Sequence, residues 1–323
     1  MRKSFIELDA ENSFNQKALK HDLNQMPLLS TGGYNDTFLK FLANSFNTKI
    51  VKCREYMKFV LTAIDYLNQW TNDCFFNLDR PSQNVINFTG KLKAGNQPVQ
   101  QFFSLKNDLY PYLLVNLRSG TTFTRVDSKT EHRRITGSPI GGTSFLGLLK
   151  VMNLYNDPSQ AINGALEGDS SGVDMSVGDI YGGTYEKLGL DARMLASSFG
   201  RLQHVDVGKA DINKNDIARS LLTMVCVNNL ILSKQIAHLE KIKNVVWIGS
   251  HVDMLEYMQM SSDTFGFLAH HEAKLIFPTY HSFLGSLGLL LNHEKLYNDD
   301  DSSDSEADEK EKKSSGTSQK YME

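Results

Sequence analysis

The stretch from Tyr112 to Thr143 constrains this chain more than any other. Tyr112-Leu113-Leu114-Val115-Asn116-Leu117 is a strong strand pattern, and Thr121 to Val126 is a second, β-branched and aromatic one. The Arg118-Ser119-Gly120 link between them is short enough for a hairpin turn. A glycine-rich loop, ITGSPIGGT over 135–143, then opens a helical periodicity that runs from Ser144 to about Leu154. A strand–glycine–strand turn and a glycine loop at a helix start both offer backbone N–H groups, which suit an anionic phosphate. A third glycine, Gly249, follows the short buried strand Val245-Val246-Trp247-Ile248. Each glycine alone is only a turn. Three in this order, each beside a strand or helix start, point to a nucleotide-handling α/β scaffold.

Around this centre the pattern is mixed. Apolar residues recur at helical spacing from Asn35 to Leu67, which predicts two successive helices. Residues 68–108 read as a long surface connection with a short hairpin. Asp157-Pro158 is an N-cap followed by proline at the first helical position. Asn213 caps a long amphipathic helix reaching Lys241, and a small-residue helix covers Ser282 to Leu291. The domains expected are 1–108, 109–297 and a tail, 298–323. The tail is low in complexity, acidic and expected to be disordered, with Ser302, Ser303 and Ser305 open to phosphorylation or docking.

The net charge of -3 is uneven: the residues from Asp299 onward carry -5, which leaves +2 on the rest. A body so close to neutral has no strong electrostatic reason to bind nucleic acid. Cys53, Cys74 and Cys226 show no CxxC or metal-ligand spacing and read as reduced core thiols. No metal-ligand cluster is expected. No apolar run reaches the ~20 residues that span a bilayer, and Met1 to Glu11 lacks a signal-peptide core. A cytoplasmic or nuclear protein without membrane contact is the expectation.

Several longer blocks make a resemblance specific. YPYLLVNLRSG, RRITGSPIGGTSFLGL, ALEGDSSGVDMSVGDIYGGTYEKLGL and LASSFG occur in order, followed by NKNDIARSLLTMVCVNNL, VVWIGSHV and SFLGSLGLLL. Together they resemble eukaryotic-type (type II) pantothenate kinases over roughly residues 28–293. The resemblance implies the actin-like, sugar-kinase and Hsc70 (ribonuclease H-like) superfold, with two α/β domains around a nucleotide cleft. It implies ATP and Mg2+, pantothenate as substrate, 4'-phosphopantothenate as product, acyl-CoA as feedback inhibitor and a homodimer. Ser119, Thr122 and Arg134 match, without a gap, the positions that hold the pantothenate moiety. A hydroxyl pair and a guanidinium suit its carboxylate, hydroxyl and amide groups. Gly120, Thr136, Gly141, Gly142 and Thr143 match the phosphate side of the site, and Gly249 the adenosine side. Counting from Thr31-Gly32-Gly33 places Glu55 as the base that accepts the proton of the pantothenate alcohol. An alternative alignment puts Lys52 there, which would abolish the base.

The chain also departs from that family. The resemblance implies a first strand and a DIGGT-like phosphate loop, yet residues 1–27 contain no glycine. The expectation is a chain lacking the front strands and that loop. Arg118 stands where the family has glycine, Tyr34 interrupts a glycine triplet, and Ser250-His251 replaces an Asn-Phe pair. The principal expectation is therefore a pantothenate kinase. The alternative is a non-catalytic relative that binds CoA-type ligands or pairs with an active paralogue.

Overall fold

A computed structural model describes residues 28–33, 36–79, 99–206, 212–249, 254–269 and 272–292. In chain order its strands and helices begin with β1 (Leu28–Thr31), α1 (Asp36–Phe46), β2 (Ile50–Cys53), α2 (Tyr56–Trp70), β3 (Phe75–Asp79) and β4 (Val99–Phe103). Next come β5 (Tyr112–Leu117), β6 (Thr121–Val126), β7 (His132–Ser138), α3 (Gly142–Val151) and α4 (Pro158–Glu167). Then follow β8 (Met175–Ser176), α5 (Val177–Tyr181), β9 (Leu195–Ser197), α6 (Lys214–Leu239), β10 (Asn244–Gly249), α7 (Leu255–Ala269), β11 (Lys274–Pro278) and α8 (Leu284–Leu291). The contacts divide the chain into two units, Met1–Ile64 with Phe283–Glu323, and Asp65–Ser282.

The first unit holds a parallel pair, β1 and β2, in register from Leu28↔Ile50 to Thr31↔Cys53. Two successive helices were expected here, but a strand separates them. Helix α1 stops at Phe46 because Asn47 takes a left-handed conformation (φ 47°), which ends a helix and suits asparagine. The β-branched Ile50-Val51 that follows then pairs with β1, and pairing outweighs the helical spacing. Cys53, Phe59 and Leu289 form the buried centre, with Leu29 and Val51 packed against it. The small residues of α8 allow close approach: a Cβ at Gly288 would overlap the Phe59 carbonyl.

The second unit is built on a seven-stranded mixed sheet in the order β4-β3-β11-β10-β5-β6-β7. Strands β5, β10 and β11 are parallel to one another, while β6, β7 and the β3–β4 hairpin run antiparallel to their neighbours. The run β7-β6-β5-β10-β11 has three hairpin-connected strands, then two that return parallel to the first. That arrangement agrees with the ribonuclease H-like core implied by the resemblance, and it is α/β as expected. The boundary expected at 108/109 falls inside this unit, because β3 and β4 join its sheet through the β3–β11 pairing. The short hairpin expected in 68–108 is present as β3 and β4.

β5 is central and buried along its whole length, which explains its apolar sequence. Trp247, Phe123, Phe145, Leu221 and Phe265 lie in the same core. Removing one of these large side chains to alanine should cost about 3–5 kcal/mol. Helix α6 packs on α4 and α7 and buries Leu221, Leu222, Val225, Cys226 and Leu230. At 26 residues it is long and apolar enough to cross a membrane, but two-thirds (67%) of its apolar window is buried inside the protein, as in a core helix. Its Asn213 cap is made as expected: the side chain accepts the Asn215 N–H. Asp157 likewise caps α4, accepting from Gln160 N with Pro158 at the first position.

The DIYGG and ASSFG blocks form a small substructure of β8, α5 and β9. Ser176 and Asp179 make a reciprocal cap at the start of α5, and Arg201 pairs with Asp179 at 2.7 Å. Asp174, 1% exposed, ties the substructure to α6 by accepting from Phe199 N at 3.0 Å and from the Ser220 hydroxyl.

The expected disordered tail, residues 1–27, Tyr34 and Ser250-His251 lie outside the described residues.

Candidate functional site

The functional site grows from the end of β5. In parallel strands of an open α/β sheet, ligands collect beyond the C-terminal ends. Leu117 and Gly249, the last residues of β5 and β10, lie side by side in register. Gly249 has φ +147°, and a Cβ there would overlap the Leu117 carbonyl, so only glycine lets β10 end against β5.

At this edge a cavity of about 520 Å³ opens between the β5–β6 turn and β7. Ser119, Gly120, Thr122 and Arg134, all expected at the ligand site, line it together. Asn116, Arg118, Thr121, Gly137, Ser138 and Pro139 also line it, and among the described residues no aspartate or glutamate does. A wall carrying two guanidinium groups and no carboxylate favours an anion.

The glycine loop after β7 gives the cavity its shape. Gly142 N–H donates to the Arg118 carbonyl at 2.7 Å, and Thr143 N–H donates to the Ser119 carbonyl at 3.4 Å. The Thr143 hydroxyl reaches the same Ser119 carbonyl at 2.9 Å, and Gly141 N–H donates to Ser144 Oγ at 3.2 Å. A Cβ at Gly141 would come within 2.6 Å of Gly120 Cα, so the turn and the loop touch glycine to glycine. The Ile140 carbonyl accepts from Thr121 Oγ1 at 3.0 Å and from Asn229 Nδ2, on α6, at 3.1 Å. The N–H groups of Gly141, Gly142 and Thr143 are used inside the protein, because the loop must satisfy its own backbone donors. The three residues clamp the ligand-side turn.

A β-bulge aims Arg134. Thr122 pairs with Gly137, Phe123 with Thr136 and Thr124 with Arg134, which leaves Ile135 as an extra residue. In a regular strand, residues three apart point to opposite faces. The extra residue returns Arg134 to the face of Gly137, Thr122 and Asn116. The guanidinium then lies over Gly137, where a Cβ would overlap Arg134 Nη2. The neighbouring cations face the other way and are paired. Arg133 meets Glu240 at 2.6 Å, while Arg125 meets Asp127 at 2.7 Å and Glu240 at 3.1 Å. Hydrogen bonds from Arg133, then Arg125, hold the Glu240 carboxyl below its usual range, and the Arg125 hydrogen bond does the same for Asp127. Among the described residues Arg134 has no carboxylate partner.

Thr136 does not join the cavity. It pairs with Phe123, whose ring is in the core, and so faces the opposite side of the sheet. Glu55 belongs to the first unit and directly precedes α2, where its carbonyl accepts the Phe59 N–H at 3.3 Å. Its carboxylate is 61% exposed and pairs with Lys58 at 2.8 Å. The sequence reading placed Glu55 inside a helix; it is the residue just before one, since the strand ending at Cys53 leaves no room for an earlier start. Asn116 was missed. The signal was present as one polar residue in an otherwise apolar strand.

Among the described residues no group of three His, Cys, Asp or Glu side chains could hold a metal. Magnesium carried by nucleotide phosphates needs only one or two protein carboxylates, so that finding sets no limit on it.

The family model and the curated relatives that match this chain point to one family. A family model described as Fumble matches residues 2–292. "Pantothenate kinase 1" of Arabidopsis thaliana is 39% identical over 204 residues, 61% of this chain and 51% of that protein. "Pantothenate kinase 2" of Oryza sativa subsp. japonica is 36% identical over 197 residues, 60% of this chain and 22% of that one. The chain thus matches about half the length of the first relative and less of the second. Among solved structures, a glycerol dehydratase reactivase is 12% identical with a TM-score of 0.39, covering 79% of this chain and 38% of its own. The activator of the 2-hydroxyisocaproyl-CoA dehydratase from Clostridium difficile, also 12% identical, has a TM-score of 0.34 and covers 62% and 64%.

Proposed function

The chain belongs to the Fumble family, the type II pantothenate kinases, and from that membership we propose that its cavity binds pantothenate for ATP-dependent phosphorylation to 4'-phosphopantothenate, the first step of coenzyme A biosynthesis. The observation that carries the reading is the convergence of Ser119, Thr122 and Arg134 on one acid-free cavity. Arg134 offers a charge-assisted bond to the carboxylate of the ligand, and Ser119 and Thr122 offer hydroxyls to its polar backbone. Glu55 is the proposed base, accepting the proton of the primary alcohol as transfer proceeds. ATP with Mg2+ supplies the γ-phosphoryl group, and Gly120, Thr136, Gly141, Gly142, Thr143 and Gly249 are the residues that the family resemblance puts on its phosphate and adenosine sides.

Two finer readings rest on the same membership. Acyl-CoA is proposed to compete for the pantothenate cavity, since its pantothenate moiety presents the same amide and hydroxyl groups. A homodimer is proposed through α6 and α3, where Ile231, Leu232, Leu148, Val151 and Met152 leave apolar surface exposed.

The test is a turnover assay of the purified chain with MgATP and pantothenate, beside calorimetric titration with pantothenate. Binding with turnover supports the kinase. Pantothenate binding without turnover would move the chain to the non-catalytic alternative, and no binding would remove the cavity from the reading.

A further inference from the structure

Asn116 interrupts a strand that is otherwise apolar and buried, and it is itself only 8% exposed. Its Oδ1 is buried without a hydrogen-bond partner among the described residues. Thr122, directly opposite it in the antiparallel ladder, carries a hydroxyl in the same state. Side chains opposite each other in such a ladder lie on one face with their Cβ atoms about 4.5–5.5 Å apart. Both residues line the cavity, beneath the guanidinium that the bulge swings over Gly137. Two polar side chains opposite each other, each with an unpartnered buried atom, are costly and ordinarily mark a place where something else completes the bonding.

We infer that Asn116 is a specificity-determining residue of this cavity that reads a secondary amide in the ligand. A primary carboxamide carries an acceptor and a donor, and the unpartnered Oδ1 of Asn116 accepts the N–H of a trans amide link. Rotation about its terminal torsion presents either end. Arg134 on the same face fixes the carboxylate of the ligand, so the amide read by Asn116 belongs to a molecule carrying both groups. Thr122 takes a hydroxyl beside it. The inference deepens the pantothenate reading and rests on it.

The experiment compares pantothenate with its ester analogue, in which the amide N–H is replaced by oxygen, by calorimetric titration of the full chain and of Asn116→Leu. The wild-type chain should bind the amide about tenfold more tightly than the ester, the size of one buried hydrogen bond. Asn116→Leu should bind the two alike, and should melt at the same temperature as the wild type or higher, because it removes an unpartnered polar group from a buried strand. Asn116→Ala repeats the comparison without the bulk of leucine. Equal wild-type affinity for amide and ester, or discrimination that survives in both variants, overturns the inference and leaves the pantothenate reading intact. A melting point lowered by several degrees in both variants would make Asn116 structural and also overturn it. Wild-type chain that binds neither compound refutes the pantothenate reading itself, and the inference with it.

Discussion

At the residue scale, the account rests on a few side chains whose roles separate cleanly. Arg134→Ala removes a charge-assisted bond and should weaken pantothenate binding about ten- to hundredfold, with little change in melting temperature because the residue is exposed. Titration calorimetry and a thermal melt check both halves. Gly249→Ala should act in the opposite sense. Its φ of +147° and the Leu117 carbonyl leave no room for a Cβ, so stability should fall by about 2 kcal/mol or more, read in a denaturant titration. How legible the site was depends on what each residue must do. Ser119, Thr122 and Arg134 were named through the family resemblance, and the fold brings them to one cavity. Thr136 stands on the face opposite Arg134 because one inserted residue shifts the strand, and a sequence does not announce a bulge. Asn116 escaped notice because its meaning lies in missing hydrogen bonds, which only coordinates reveal.

At the element scale, the bulge at Ile135 is the device that keeps Arg134 on the cavity face despite the extra residue. Deleting Ile135 leaves Arg134 two residues from Gly137 in a regular ladder, still on one face, so strand pairing and ligand binding should both survive. Circular dichroism together with calorimetry distinguishes this from unfolding. On the opposite face, Glu240 joins the end of α6 to β6 and β7 through Arg133 and Arg125. Its carboxyl and that of Asp127 have folded-state values below their ordinary ones, so the stability they contribute is present above about pH 4.5 and is lost as pH falls through the folded values. Glu240→Gln should therefore be less stable than the wild type at pH 7 by about 1 kcal/mol, and the gap should close toward pH 3, as urea titrations at several pH values would show. The strands of the main sheet and the long helix were legible because their patterns are regular and their caps explicit. The short strand β2 was not, since its four residues continue a helical spacing by accident and only pairing with β1 decides the matter.

At the scale of the whole molecule, the sequence blocks that are hardest to explain by fold alone have found structural places. DIYGG and ASSFG close a small substructure onto α6, and the glycine loop clamps the turn that carries Ser119. The three cysteines are buried and form no disulfide among the described residues. Burial pushes the Cys74 thiol up to about 12 and the Cys226 thiol up to about 11. Thiol reagents at pH 8 should therefore label neither in the folded chain, and labelling should appear only with denaturant. The unit boundary was not legible, because the first unit gathers α8 from the far end of the chain and no linker composition marks that return. If Glu55 is the base, Glu55→Gln abolishes turnover and leaves pantothenate affinity unchanged. The most direct test of the central claim is calorimetric titration of the wild-type chain and Arg134→Ala with pantothenate. The account predicts one saturable site in the wild type and at least a tenfold loss in the variant. Equal affinity in both, or no binding by the wild type, would contradict it.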